Sequence, residues 1–190
     1  MINKIKTKFM KTIVQIICCL CIGHSVLAQK MMTRNGEIKF EASMPAFEEI
    51  AAKNNSASCI LDESNGEIAV LVLIKSFKFK VPLMEEHFNE NYMESSQFPK
   101  ATFKGKINNY AGAKSTSNKL YEVEGDLTIH GVTKHVKTKL TVTNSGDRTQ
   151  LMGNLTVKPQ DYKIEIPSIV RGKIAENVKI SLNFNLEQKK

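Results

Sequence analysis

The sequence has no tryptophan and almost no dispersed cysteine: Cys18, Cys19 and Cys21 cluster near the start, and Cys59 stands alone in the rest of the chain. A lone thiol closes no internal disulfide, so the fold must rest on its apolar core. Cys59 is read as a small buried hydrophobe on a strand, with an intermolecular disulfide or a reactive thiol as the alternative. Also missing are a glycine-rich phosphate loop and a histidine pair at i,i+4 spacing, and no cysteine or carboxylate cluster completes a metal site with the histidines beyond residue 28. Neither a nucleotide nor a metal site is therefore expected, and no cofactor is implied. Catalysis finds no support: the acids lie mostly on outward strand positions, and no Ser-His-Asp set can be assembled. His87 lies far from His130 and His135, which flank Gly131. His130 is read as a turn residue whose ring bonds nearby backbone, and His135 as an exposed strand residue.

The N-terminus is built differently from the rest. Lys4, Lys6, Lys8 and Lys11 precede a mostly apolar run from Ile13 to Val26, and Val26-Leu27-Ala28 ends in a small residue. That order is the mark of a secretory signal peptide over residues 1–28, cleaved near Ala28, and it implies a periplasmic or secreted protein. The run is broken by Gln15, His24 and Ser25 and falls short of the ~20 residues of a spanning helix, so a retained anchor is the weaker reading. Lipidation at the clustered cysteines is weaker still, because small residues do not directly precede them. Residues 29–190 then form one domain, long enough to bury a core. Over these residues the excess of base shrinks to 23 Lys and Arg against 19 Asp and Glu, or +4. The lysines are mixed with glutamates along strands, with no basic helix and no aromatic platform, which argues against nucleic acid. The mild excess suits a solvated face and leaves transient contact with an anionic membrane surface open.

What the chain does have is alternation. Tyr121, Val123, Leu127 and Ile129, with Gly125, fall on one parity, while Glu122, Glu124, Asp126 and Thr128 fall on the other. Val178, Ile180, Leu182, Phe184 and Leu186 repeat the pattern against Lys179, Ser181, Asn183, Asn185 and Glu187. A period of two is the signature of half-buried strands and fits no helix. Shorter versions run through Ile38-Phe40-Ala42, Phe77-Phe79-Val81, Phe103-Gly105-Ile107, Val136-Thr138-Leu140-Val142 and Leu151-Gly153-Leu155-Val157. Turn residues at Gly36, Asn65-Gly66, Gly131 and Asn144 to Asp147 separate strand segments, giving about eight strands. Ile68 to Ile74 is apolar throughout, which predicts a strand covered on both faces. Two short helical segments, Pro45–Lys53 and Pro82–Tyr92, are the expected covers. Many antiparallel strands with one apolar face either stack as a sandwich or close into a barrel, and periodicity does not choose between them.

The string Gly125 to Lys134, GDLTIHGVTK, closely resembles the central hairpin of the YceI-like family. His87 to Gly105 is similar to that family's covering helix and the strand that follows it, carried by Phe98, Pro99, Thr102 and Phe103. The likeness runs from about Gly36 to Leu186. It implies an all-β, antiparallel, lipocalin-like barrel with an elongated apolar pore, binding polyisoprenoid lipids or isoprenoid quinones in the periplasm. The chain departs from the family pattern in the late strand, where Lys158 and Tyr162 stand at or near the places of the arginine and glycine that members carry, and at Gly36 to Phe40, which lacks the usual histidine-serine opening. Such changes leave the barrel intact and bear on the headgroup.

Within such a barrel the expected ligand-lining residues are Phe77, Phe79, Phe103, Leu127, Ile129, Leu155, Leu182 and Phe184, with Leu83 and Phe88 from the covering helix. Plain core packing is the alternative for each. A periplasmic carrier of a long apolar lipid is the leading expectation. A solid barrel that docks a protein or membrane surface, and a lipid-modifying enzyme with His130 as the first residue to test, are the competing ones. Oligomeric state is not legible.

Overall fold

The computed structural model of the chain describes residues 30–110, 112 and 118–188. The signal-peptide expectation over residues 1–28 lies outside the described residues. The chain forms β1 (Lys30–Ser43), β2 (Ala51–Asp62), β3 (Glu67–Leu73) and a two-residue β4 (Lys78–Phe79). Then come a short helix α1 (Pro82–His87), β5 (Lys100–Ile107), β6 (Lys119–Ile129), β7 (Val132–Ser145), β8 (Arg148–Val157) and β9 (Ile174–Gln188). Every pairing is antiparallel. The order β1-β9-β8-β7-β6-β5-β3-β2 closes on itself through β2 with β1, so eight long strands make a barrel and β4 extends the upper part of β2. Closure removes the unpaired edges an open sheet would expose.

Alternation becomes geometry directly. On β6, Tyr121, Val123 and Leu127 are buried while Glu122, Glu124 and Asp126 face outward beside Lys139, Lys137 and His135 of β7. Inward glycines let the barrel narrow. Gly105 and Gly125 stand opposite each other, and a Cβ on Gly125 would lie 2.3 Å from the Lys104 carbonyl oxygen. At Gly36 a Cβ would strike the Phe184 ring at 2.3 Å, so this glycine is what lets Phe184 lie across the interior. The β6–β7 hairpin turns on His130 and Gly131, with φ of 50° and 72°, as the two-residue type I′ turn requires.

Three expectations fail. Gly36 is no turn between strands: it lies within β1 opposite Ala57, where the register with β2 shifts. Pro45–Lys53 is not helical: the chain bends through residues 45–50 and enters β2 at Ala51. The ladder wins over local helix preference because Glu41, Phe40 and Lys39 pair with Ala51, Ala52 and Lys53. The Ser43 hydroxyl oxygen also accepts the Ile50 amide at 3.0 Å, closing the connection as a turn. β3 is not covered on its outer face either. Ile68 and Val72 are buried, but Ala69, Leu71 and Leu73 face outward and are exposed. The covering helix lies over the barrel end instead, where α1 runs on into a π-helical turn, Phe88–Tyr92.

Three long connections, residues 44–50, 74–99 and 158–173, gather at one end of the barrel. The opposite end carries the turns after β2 and β7. It is packed solid by Met31, Cys59, Leu61, Ile107, Val142, Leu151 and Leu186, all essentially inaccessible.

Candidate functional site

The half of the barrel beneath the long connections is hollow. It encloses a cavity of about 390 Å³, within the size range of small-molecule sites. Ile68, Val123, Leu140 and Phe184 form its floor. Val70, Phe103, Leu127, Leu155, Ile180 and Leu182 form its walls, and it opens between α1 and the segment that leads into β9. Several wall residues, among them Val70, Phe103, Ile180 and Leu182, are only partly buried although they point inward, because they face empty space rather than one another.

The lid is anchored by aromatic contact. Phe88 sits among Phe40, Phe77 and Phe79, at centroid separations of 5.3, 5.8 and 5.1 Å. Such edge and offset contacts add to plain area burial. Glu85 ties α1 to β4 by accepting from the Phe79 amide at 3.3 Å and the Lys78 ammonium at 2.5 Å. These contacts hold its carboxyl below the ordinary range, the Lys78 hydrogen bond contributing most. Met84 and Phe88, one helical turn apart, both look into the cavity.

Of the expected lining residues, Phe77, Phe79, Phe88, Phe103, Leu127, Ile129, Leu155, Leu182 and Phe184 all reach the cavity. Leu83 does not: it points outward, because the inward stripe of α1 begins one residue later, at Met84. Phe40, Val70 and Ile180 also line the cavity and share the inward parity of their strands, a signal sufficient to find them. Tyr162, Ile164, Ile166 and Val170 line it from outside the strands; Tyr162, Ile164 and Ile166 alternate with Lys163 and Glu165, which is enough to mark them, whereas Val170 has no such signal.

Polar groups are sparse. Thr138 reaches the wall but its hydroxyl donates to the Asn154 carbonyl at 2.6 Å. His87 and Lys173 border the opening. The polar cluster of the interior lies at the solid end instead. There the Thr149 hydroxyl stands 2.9 Å from Asn144 Oδ1 and 3.2 Å from Glu63 Oε1, and burial pushes the Glu63 carboxyl up. His130, at the cavity end, is held by Glu94 and by the Tyr162 carbonyl, and Phe98 packs on its ring at 4.3 Å. The hairpin and the post-helix stretch that carry the family resemblance therefore touch. Among the described residues no group of three metal-ligating side chains converges. An arrangement of this kind excludes water and holds an apolar body by burial, with little to orient a polar one.

A UPF0312 protein of Pseudomonas savastanoi pv. phaseolicola is 23% identical over 176 residues, spanning 89% of this chain and 78% of the relative. A UPF0312 protein of Pseudomonas syringae pv. tomato matches to the same extent. Among solved structures, a polyisoprenoid-binding domain from Saccharophagus degradans superposes with a TM-score of 0.74 at 18% identity, covering 85% of this chain and 99% of that one. Burkholderia cenocepacia BcnA gives 0.65 at 19% identity, with 80% and 95% covered. These likenesses show the fold. The family model of the YceI-like domain matches residues 26–186, and the chain belongs to the YceI-like domain family.

Proposed function

We propose that the protein is a binding protein, not an enzyme, that carries a long apolar lipid, a polyisoprenoid or an isoprenoid quinone, in the hollow half of its barrel. The observation that carries this reading is the cavity, with walls almost wholly of hydrocarbon and an opening at the lidded end. The naming of a similar domain for polyisoprenoid binding supports the choice of lipid. At ~0.8 kcal/mol per buried CH₂, a chain of about twenty carbons gains on the order of 16 kcal/mol gross. Ordering losses leave room for tight binding without a headgroup site. An apolar cavity also holds water poorly, so the lipid displaces little. The hollow half speaks against the solid-barrel reading.

The leader-like residues 1–28 support export, with the barrel acting in the periplasm or outside the cell. N-terminal sequencing of the protein from its native host tests that part, with a start near Gln29 expected; an intact N-terminus recovered from the cytoplasm would refute it. For the ligand, native mass spectrometry of that protein followed by solvent extraction is expected to show a bound species that leaves into solvent as an isoprenoid. Protein that is lipid-free as isolated and takes up no isoprenoid when one is supplied would overturn the reading.

A further inference from the structure

Three connections border the cavity opening, and each leaves one large apolar side chain outside it. Phe47 is 49% exposed, Leu83 56% and Ile169 87%. Each stands within three residues of a side chain that lines the cavity: Phe47 before Ile50, Leu83 beside Met84, and Ile169 beside Val170. Nothing in the barrel's own packing requires them. Their surroundings are not of one sign. Lys80 is paired with Glu49 and Lys78 with Glu85, while Glu48, Glu86, Glu90 and Glu165 stand against Lys163, Arg171 and Lys173.

We infer that the protein docks opening-first on a phospholipid bilayer, with Phe47, Leu83 and Ile169 entering the boundary between headgroups and acyl chains. The inference rests on the lipid-carrying reading above. Continuity with the cavity selects the occupant. A hydrocarbon chain leaving through this opening passes straight into acyl chains, and the water it would otherwise meet is the main barrier to its exchange. A protein partner fits less well. Stable interfaces bury about 800 Å² on each side around a packed apolar centre, whereas here the centre is the opening itself and the apolar points are isolated around it. A fluid surface needs no such complementarity. Because the rim charges nearly balance, burial drives the contact, and anionic lipid is not required.

The test is sedimentation of the full mature protein with phosphatidylcholine vesicles, with and without added phosphatidylglycerol. Binding to both is expected, and it persists at ~1 M salt, where the Debye length is only ~3 Å. Ile169→Ser alone is expected to weaken binding about tenfold, and Phe47→Ser with Leu83→Ser to weaken it further. Changing Ile60 and Leu71 to Ser, on the exposed outer faces of β2 and β3 away from the opening, is expected to leave binding unaltered. Binding confined to phosphatidylglycerol vesicles and lost in salt would overturn the inference, as would an Ile169→Ser variant that sediments like the parent. Uptake of geranylgeraniol from cyclodextrin, with no vesicle present, separates the two readings. Uptake without vesicle binding refutes docking and leaves the carrier standing, whereas vesicle binding without uptake refutes the carrier alone.

Discussion

The Nε2 atom of His130 lies 2.8 Å from Glu94 Oε2, at the point where the β6–β7 hairpin meets the turn that follows the covering helix. Its Nδ1 lies 3.2 Å from the Tyr162 carbonyl oxygen, and only 9% of the side chain is exposed. Both partners accept, so the two bonds form together only when both ring nitrogens carry hydrogen. One ring thus joins the β6–β7 hairpin to two connections over the hollow half, held by no strand ladder at Glu94 or at Tyr162. Both His130 and Glu94 adopt positive φ, 50° and 41°, to make the meeting possible. His130→Ala removes both bonds and is expected to cost about 1–3 kcal/mol. Glu94→Gln, which keeps a neutral acceptor, is expected to cost less. Urea midpoints of the two variants check this, and a His130→Ala variant as stable as the parent would show that the ring ties nothing down.

A second prediction concerns the narrow wall. Gly105 and Gly125 face each other across β5 and β6, and a Cβ on Gly125 would meet the Gly105 Cα at 2.4 Å as well as the Lys104 carbonyl. Both obstacles are backbone, so neither can rotate away. Gly125→Ala is expected to lose about 1–3 kcal/mol, the range of an overpacked core. At Gly146, where a Cβ meets nothing within 4 Å, positive φ is the sole obstacle to Ala. The smaller loss expected there, read in the same denaturation series, isolates the close approach from backbone strain.

Parity explains why so much of the barrel was legible. On β6 and β9 a period of two assigns each side chain to a face, and Tyr121, Val123, Leu127 and Phe184 lie inward as that period requires. Parity says nothing of height. Phe184 and Leu182 sit on the same side of β9, yet one is sealed in the floor and the other looks into the void, and only three-dimensional closure separates them. Ile68 to Ile74 misled because an unbroken apolar run implies two covers, whereas the outer face of β3 stays bare. Pro45–Lys53 misled because helix preference over a few residues is weaker than the pairing of Phe40 with Ala52. Ile164 stands in the alternating run Tyr162 to Ile166 and is legible by parity, whereas Val170, in a turn beyond Pro167, has no period to mark it.

Cys59 offers a chemical probe of the solid half. It is free and fully inaccessible, and burial pushes its thiol up to about 12. At pH 8 the native protein then holds only about one part in ten thousand as the reactive thiolate. Native protein is expected to react with a disulfide reagent at its unfolding rate, and urea to release prompt labelling. The sign of the pH dependence follows. The folded state keeps its proton longer, so this contribution is intact below the ordinary value of 9.0 and falls away as pH rises towards 12. Cys59→Ala is expected to remove that alkaline slope from urea midpoints; an unchanged slope would place its origin elsewhere.

The same substitution at two alanines can map where the barrel is hollow. Ala101 on β5 lies inward beside the cavity and is only partly buried, while Ala57 on β2 is inward, wholly inaccessible and paired with Gly36 beneath Phe184. Phenylalanine at 57 has no room and must push Phe184 or the backbone, so Ala57→Phe is expected to cost about 1–3 kcal/mol or more. Ala101→Phe enters empty space. It is expected to hold stability within about 1 kcal/mol of the parent, since added apolar burial offsets the lost side-chain freedom. The two variants should also differ in cargo, with Ala101→Phe retaining less extractable lipid because its ring takes the lipid's place. Equal destabilisation by both would mean that the upper half closes in solution. Stability preserved in Ala101→Phe with cargo undiminished would mean that the lipid lies elsewhere than against β5.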